Sequence, residues 1–172
     1  DISKNKFSKD FLELKKYFSL NCYVPISVGG GIKNIDHADI YFKTGADKVI
    51  LGSSCLEETD TIKNISKKYG NQSIIQSIDC IKTFEKKKNY NVIKNSGKDF
   101  LNDDPIKLCK KALLNGAGEI LINSIDNDGS LLGYDLELIS YISKNISCPL
   151  LAIGGAGNWQ HILDLFLKTD IS

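Results

Sequence analysis

Two glycine runs carry the most chemistry in this chain. Gly29-Gly30-Gly31 follows the apolar stretch Tyr23–Val28, and Gly154-Gly155-Ala156-Gly157 follows Pro149–Ile153. A backbone without side chains can approach an anion closely, and successive N–H groups before a helix hold phosphate. One such turn would be weak evidence, because glycine also serves ordinary tight turns; two at equivalent places are stronger. Gly52-Ser53-Ser54, after Lys48–Leu51, adds a hydroxyl donor. Asp126-Asn127-Asp128-Gly129, after Glu119–Ile125, is either a plain side-chain-to-backbone turn or part of a site. Asp79 closes the apolar run from Ser73, and a carboxylate at the end of a buried strand suits proton transfer. A cap or loop hydrogen bond is its ordinary alternative. Together these residues predict two phosphate sites across one mouth, suited to an elongated substrate with a phosphate at each end.

Short apolar runs alternate with longer amphipathic stretches. Strands are predicted at Tyr23–Val28, Lys48–Leu51, Ser73–Asp79, Tyr90–Ile93, Glu119–Ile125 and Pro149–Ile153. Helices are predicted at Lys9–Phe18, Ile35–Lys43, Glu58–Tyr69, Pro105–Asn115, Asp135–Ser143 and Trp159–Leu167. This alternation indicates repeated βα units on a parallel sheet, buried on both faces. Asn34 is a plausible helix N-cap, and Gly45, Gly70 and Gly116 follow helices. The polar stretch Thr83–Asn89, with Lys86-Lys87-Lys88, reads as a hairpin-like solvated loop.

An internal repeat sets the architecture. Asp10 and Asp135, Gly29-Gly30 and Gly154-Gly155, and Lys43-Thr44 and Lys168-Thr169 all share a spacing of 125 positions. Pro25 and Pro149 stand one residue off it. Two such units total about 250 residues, the size of an eight-stranded (β/α) barrel. The chain has 172 residues and no Met, so it is expected to be a partial barrel, one domain over residues 1–172. The first strands and the last strand and helix are expected to lie outside it, leaving an open six-strand sheet. The counterpart of Asp79 would then precede Asp1.

Composition removes several classes. With 22 Lys+Arg against 21 Asp+Glu, the net charge of +1 gives no bulk field for nucleic acid or anionic membrane. No apolar run approaches a membrane span, and the first residues do not form a secretory signal. The odd set Cys22, Cys55, Cys80, Cys109 and Cys148 lacks metal spacing and reads as buried small hydrophobes in a reducing cytoplasm. Neither His37 nor His161 has a motif that would make one of these thiols a nucleophile. No metal or cofactor is expected.

These motifs resemble the cyclase subunit of imidazole glycerol phosphate synthase. They are Val28-Gly29-Gly30-Gly31-Ile32, Gly45-Ala46-Asp47-Lys48-Val49, Ser77-Ile78-Asp79, Gly116-Ala117-Gly118-Glu119-Ile120-Leu121, Ser124–Gly129, Gly133-Tyr134-Asp135 and Gly154–Gly157. The resemblance covers essentially the whole chain. It implies a two-phosphate-site (β/α)8 barrel that takes ammonia from a glutaminase partner docked at the amino-terminal face. The ammonia is added to a phosphoribulosyl-formimino aminoimidazole carboxamide ribonucleotide, and lyase and cyclisation steps give imidazole glycerol phosphate. Asp79 matches one of two catalytic aspartates. Gly30, Gly31 and Ser53 match one phosphate site, and Asp128, Gly129, Gly155 and Ala156 the other. Lys48 and Glu119 match members of a charged gate for ammonia, and buried ions like these need mutual pairing. Asp47 and Gln72 would face the partner.

Three positions depart from the family. Gly52 stands where Asn is usual, Asn123 where Thr is usual, and Ile153 replaces a small polar residue. These changes leave a rival open, an ammonia-using subunit of an amidotransferase for surface-polysaccharide sugars. A non-catalytic docking fragment is a further reading, and a two-half sugar isomerase a weaker one. The 172 residues alone, with one of the two aspartates, are expected to be inactive.

Overall fold

The branched aliphatic runs form strands and the amphipathic segments cover them. The computed structural model describes residues 9–83, 90–94, 99–101 and 103–171. In chain order the elements are α1 (Lys9–Asn21), β1 (Ser27–Gly29), α2 (Ile35–Lys43), β2 (Lys48–Leu51), α3 (Ser54–Glu57), α4 (Asp60–Tyr69) and β3 (Ile74–Lys82). Then come β4 (Tyr90–Lys94), β5 (Asp99–Leu101), α5 (Pro105–Leu114), β6 (Glu119–Ser124), α6 (Leu136–Ser143), β7 (Leu150–Ile153) and α7 (Trp159–Lys168). Strands β1, β2, β3, β6 and β7 are parallel neighbours in that order. The fold is α/β: a parallel half-barrel sheet with alternating helices, an incomplete barrel of the (β/α)8 type.

Alternation along the strands divides the sheet into two faces. Val49, Leu51, Ile74, Ile78, Cys80, Ile120 and Ile122 are fully buried on the helix side. They pack in one cluster with Ile62 and Ile65 of α4, Leu108 and Ala112 of α5, and Leu138, Ile139 and Ile142 of α6. Each buried Ile or Leu contributes about 1.5–3 kcal/mol, so this layer fixes the sheet. The opposite face carries Lys48, Ile50, Ile75, Ser77, Asp79, Glu119, Leu121, Asn123, Leu151 and Ile153 in register. Leu151 and Ile153 remain 37% and 44% exposed on that face.

Helix ends follow local chemistry. Asn34 accepts from the His37 N–H at 3.0 Å, Asp104 from Ile106 at 2.7 Å, and Asp135 from Leu138 at 2.9 Å. Gly45, Gly70 and Gly116 close α2, α4 and α5 with positive φ.

The fold differs from the sequence expectation in three places. The strand expected at Tyr23–Val28 is only β1, because Pro25 has no N–H to give a ladder and Tyr23 and Val24 lie exposed. The sheet is not six-stranded: among the described residues it has seven strands. The run at Tyr90–Ile93 forms a strand, and β4 pairs antiparallel with the outer end of β3, as the hairpin-like reading implies; β5, unexpected from the sequence, adds to β4. The pair extends β3 past the barrel edge instead of adding a βα unit. Third, the glycine turns and their capping Asn34 and Asn158 match at a spacing of 124, that of Pro25 and Pro149. Gly30 and Gly31 have positive φ, as do Gly154 and Gly155. Residues 84–89 of the expected loop, including Lys86-Lys87-Lys88, lie outside the described residues. No helix among the described residues is long and apolar enough to cross a membrane.

Candidate active site

Because the five barrel strands are parallel, their carboxyl ends share one edge. That edge gathers Gly29 at the end of β1 with Gly30-Gly31 after it, Gly52-Ser53 after β2, Asp79 on β3, Asp126–Gly129 after β6 and Gly154–Ala156 after β7. The two glycine turns thus lie on the same end of the sheet, flanking the strand that carries Asp79.

Asp79 is half-buried and pairs in register with Asn123 of β6. Asn123 Nδ2 donates to Asp79 Oδ1 at 3.1 Å. Burial pushes the carboxyl above its ordinary range; the Asn123 donor acts against that, and the charge of Asp128 adds to it. A carboxyl raised in this way can hold and release a proton nearer neutrality.

The turns differ in surroundings. Gly31 has φ +67° and open space where a Cβ would stand. The Tyr41 hydroxyl donates to Gly30 O at 3.0 Å, tying the turn to α2. Gly155 has φ +97°, and a Cβ there would lie 2.0 Å from Gly133 O. Gly133 N donates to Gly155 O at 2.7 Å, and Asn127 Nδ2 donates to Gly133 O at 2.8 Å. The loop after β6 therefore braces the second turn. Asp128, Gly129 and Ala156 are exposed beside it, and Ser53 is half-buried beside the first. Asp126 is drawn off, accepting from the Lys82 N–H at 2.7 Å.

A family model described as histidine biosynthesis protein matches residues 8–172. The chain belongs to the histidine biosynthesis protein family. A relative in Vibrio vulnificus, provisionally named imidazole glycerol phosphate synthase subunit hisF2, is 38% identical over 95% of this chain and 60% of its own length. Imidazole glycerol phosphate synthase subunit HisF of Bacillus cereus is 36% identical over 95% of this chain and 64% of its own. The subunit of the same name from Staphylococcus epidermidis is 36% identical over 100% of this chain and 68% of its own. The chain spans about three-fifths of the length of the first of these relatives.

At the opposite edge of this histidine biosynthesis family barrel, Lys48 and Glu119 form an ion pair across β3. Both are partly shielded, at 28% and 16% side-chain exposure. Asp47 and Gln72 lie exposed on the same amino-terminal side, Asp47 accepting from the Ile26 N–H at 2.8 Å and Gln72 donating to Tyr69 O at 3.1 Å. The sequence motifs do not single out Gln76. It is wholly buried on the helix side, and its Nε2 lies 3.0 Å from Leu51 O and 3.1 Å from Gly52 O. It therefore holds the end of β2 from which Ser53 follows. Its one sequence signal is a polar residue inside Ile74–Ile78. Lys94 of β4, also not singled out, pairs with Glu57 of α3 at 2.7 Å and fastens the antiparallel extension.

All five cysteines are free, with Cys55, Cys80 and Cys109 buried. Burial pushes the Cys109 thiol up to about 12, which keeps it protonated and unreactive. Among the described residues, no group of three His, Cys, Asp or Glu side chains could hold a metal ion.

Proposed function

We propose that this chain supplies the central strands of an ammonia-using cyclase, the cyclase subunit of imidazole glycerol phosphate synthase. The observation that carries this reading is the order of features along one edge: glycine turn, Asp79, glycine turn. Gly30, Gly31 and Ser53 take one phosphate of the bis-phosphorylated ribonucleotide; Asp128, Gly129, Gly155 and Ala156 take the other. Asp79 lies between them as general acid/base, moving a proton as ammonia adds and the ring closes. The Lys48–Glu119 pair at the far edge is the gate through which ammonia from a glutaminase partner enters, and Asp47 and Gln72 face that partner.

The test is turnover. The purified intact protein is incubated with the bis-phosphorylated formimino ribonucleotide and ammonium, and imidazole glycerol phosphate is followed by chromatography. Product formed, and lost in Asp79→Asn, is expected; a folded protein that forms none would overturn the reading. In that case a surface-polysaccharide amidotransferase is the second reading. Ile153 favours it, because it sets an exposed apolar side chain on the concave face just before the second turn.

A further inference from the structure

Asn123 and Asp79 are register partners on adjacent parallel strands, with both side chains on the concave face. The amide nitrogen donates to the carboxylate at 3.1 Å. The other end of the same amide is unusual: Asn123 Oδ1 is buried and has no hydrogen-bond partner among the described residues. It lies close to Gly154, where a Cβ would come within 3.4 Å of it. Leaving a buried acceptor unsatisfied is destabilising. Turning the amide over would set its oxygen against a carboxylate oxygen, two acceptors in contact. The ionised carboxylate therefore selects the orientation observed. A protonated Asp79 reverses the preference, because its O–H needs an acceptor and the turned amide offers one.

We propose that Asn123 is a positioning residue whose amide follows the protonation state of Asp79, donating to the carboxylate and turning over to accept from the carboxylic acid. No covalent bond in Asn123 forms or breaks; the proton resides on Asp79 and only the terminal torsion of Asn123 rotates. Three other described residues neighbour this carboxyl. Asp128, in the turn after β6, favours the protonated form. Ile93 of β4, directly opposite, is apolar. Cys80 follows on the helix side of the sheet.

This inference rests on Asp79 as the proton carrier of the proposed reaction, and the experiment separates the two. In the intact protein, labelled for NMR, the Asp79 carboxyl carbon and the Asn123 side-chain amide are followed through pH. One shared midpoint is expected, and an Asn123 amide indifferent to the Asp79 titration would overturn the proposal without any variant. Asn123→Leu should shift the carboxyl midpoint upward by removing the donor, and Asn123→Asp should shift it further by adding a like charge. A midpoint unmoved in folded Asn123→Leu also overturns it. Turnover then tests the reading beneath. If the acid limb of the kcat profile moves with the NMR midpoint, both stand. If the midpoint moves and the kcat profile does not, the Asn123 coupling stands and the acid/base reading of Asp79 falls.

Discussion

The turn after β1 and the turn after β7 use one device in two settings. In each, two glycines with positive φ lead to an extended Asn whose side chain caps the next helix. Asn34 has φ −156° and ψ 177°, and Asn158 has φ −158° and ψ 174°. Their caps match as well: Asn34 takes the His37 N–H at 3.0 Å and Asn158 the His161 N–H at 3.1 Å. The histidines match too, His37 Nδ1 accepting from the Lys33 N–H at 3.4 Å and His161 Nδ1 from the Gly157 N–H at 3.1 Å, but the surroundings differ. The first turn is open at Gly31, with the Tyr41 hydroxyl on Gly30 O and His37 Nδ1 3.0 Å from Gly31 O. The second is clamped by the Asn127–Gly133 loop, whose backbone occupies the space a Cβ would need. A repeated segment keeps its local geometry because short-range hydrogen bonds set it. What surrounds the segment decides whether a glycine is needed for a ligand or for the fold.

The largest expected effect lies between the turns. Asp79→Asn should lower turnover by about 10²–10⁴-fold, the usual worth of a positioned acid/base, while phosphate still binds at both turns. Loss of phosphate binding with turnover would mean that the turns and Asp79 are not separate parts. The same variant has a signature in stability. The carboxyl is raised in the folded chain, so its contribution is present below the ordinary carboxylate range and is lost as pH rises through the folded value. Above that range Asp79→Asn should therefore raise the melting temperature, and the gain should vanish in acid.

Gly155→Ala against Gly31→Ala sharpens the contrast itself. A Cβ at Gly155 meets backbone at 2.0 Å on top of a positive φ. Overpacking and strain together should cost about 3 kcal/mol or more, read from the urea midpoint. At Gly31 only the φ opposes the side chain, for about 1–2 kcal/mol. The larger loss at Gly31 should be in phosphate affinity. Equal destabilisation would break the distinction between open and clamped turns.

Asn34→Ala and Asn158→Ala should each cost about 1 kcal/mol, and by similar amounts, because the two caps share one geometry. Unequal urea midpoints would show that the caps are not equivalent in strength. The smallest effect concerns the brace. Among the described residues, Leu131 is the non-glycine residue with positive φ, +61°, and is exposed. Leu131→Asn should stabilise by up to about 1 kcal/mol, since Asn tolerates that conformation.

Most of the helices and barrel strands are legible in the residues. Ile35–Lys43 and Lys48–Leu51 form with the bounds the sequence sets, since apolar spacing, the Asn34 cap and the Gly45 stop are local signals. The short β5 and α3 carry too few residues to show a period. The hairpin-like reading of Thr83–Asn89 implies β4 antiparallel to β3, but the addition of β5 to β4 could not be read, because a strand's composition does not name its neighbours. For the same reason Gln76 looks like a flaw in an apolar run until the carbonyls of Leu51 and Gly52 are brought beside it.

By itself the sequence determined the repeat, the alternation of elements and the residue types at each strand end, all set by neighbours within a few positions. Tertiary structure alone decided that Asn123 meets Asp79, that Lys48 reaches Glu119 across an intervening strand, and that Gly133 closes on Gly155. Such contacts depend on strand register, and register comes from packing the whole sheet against its helices.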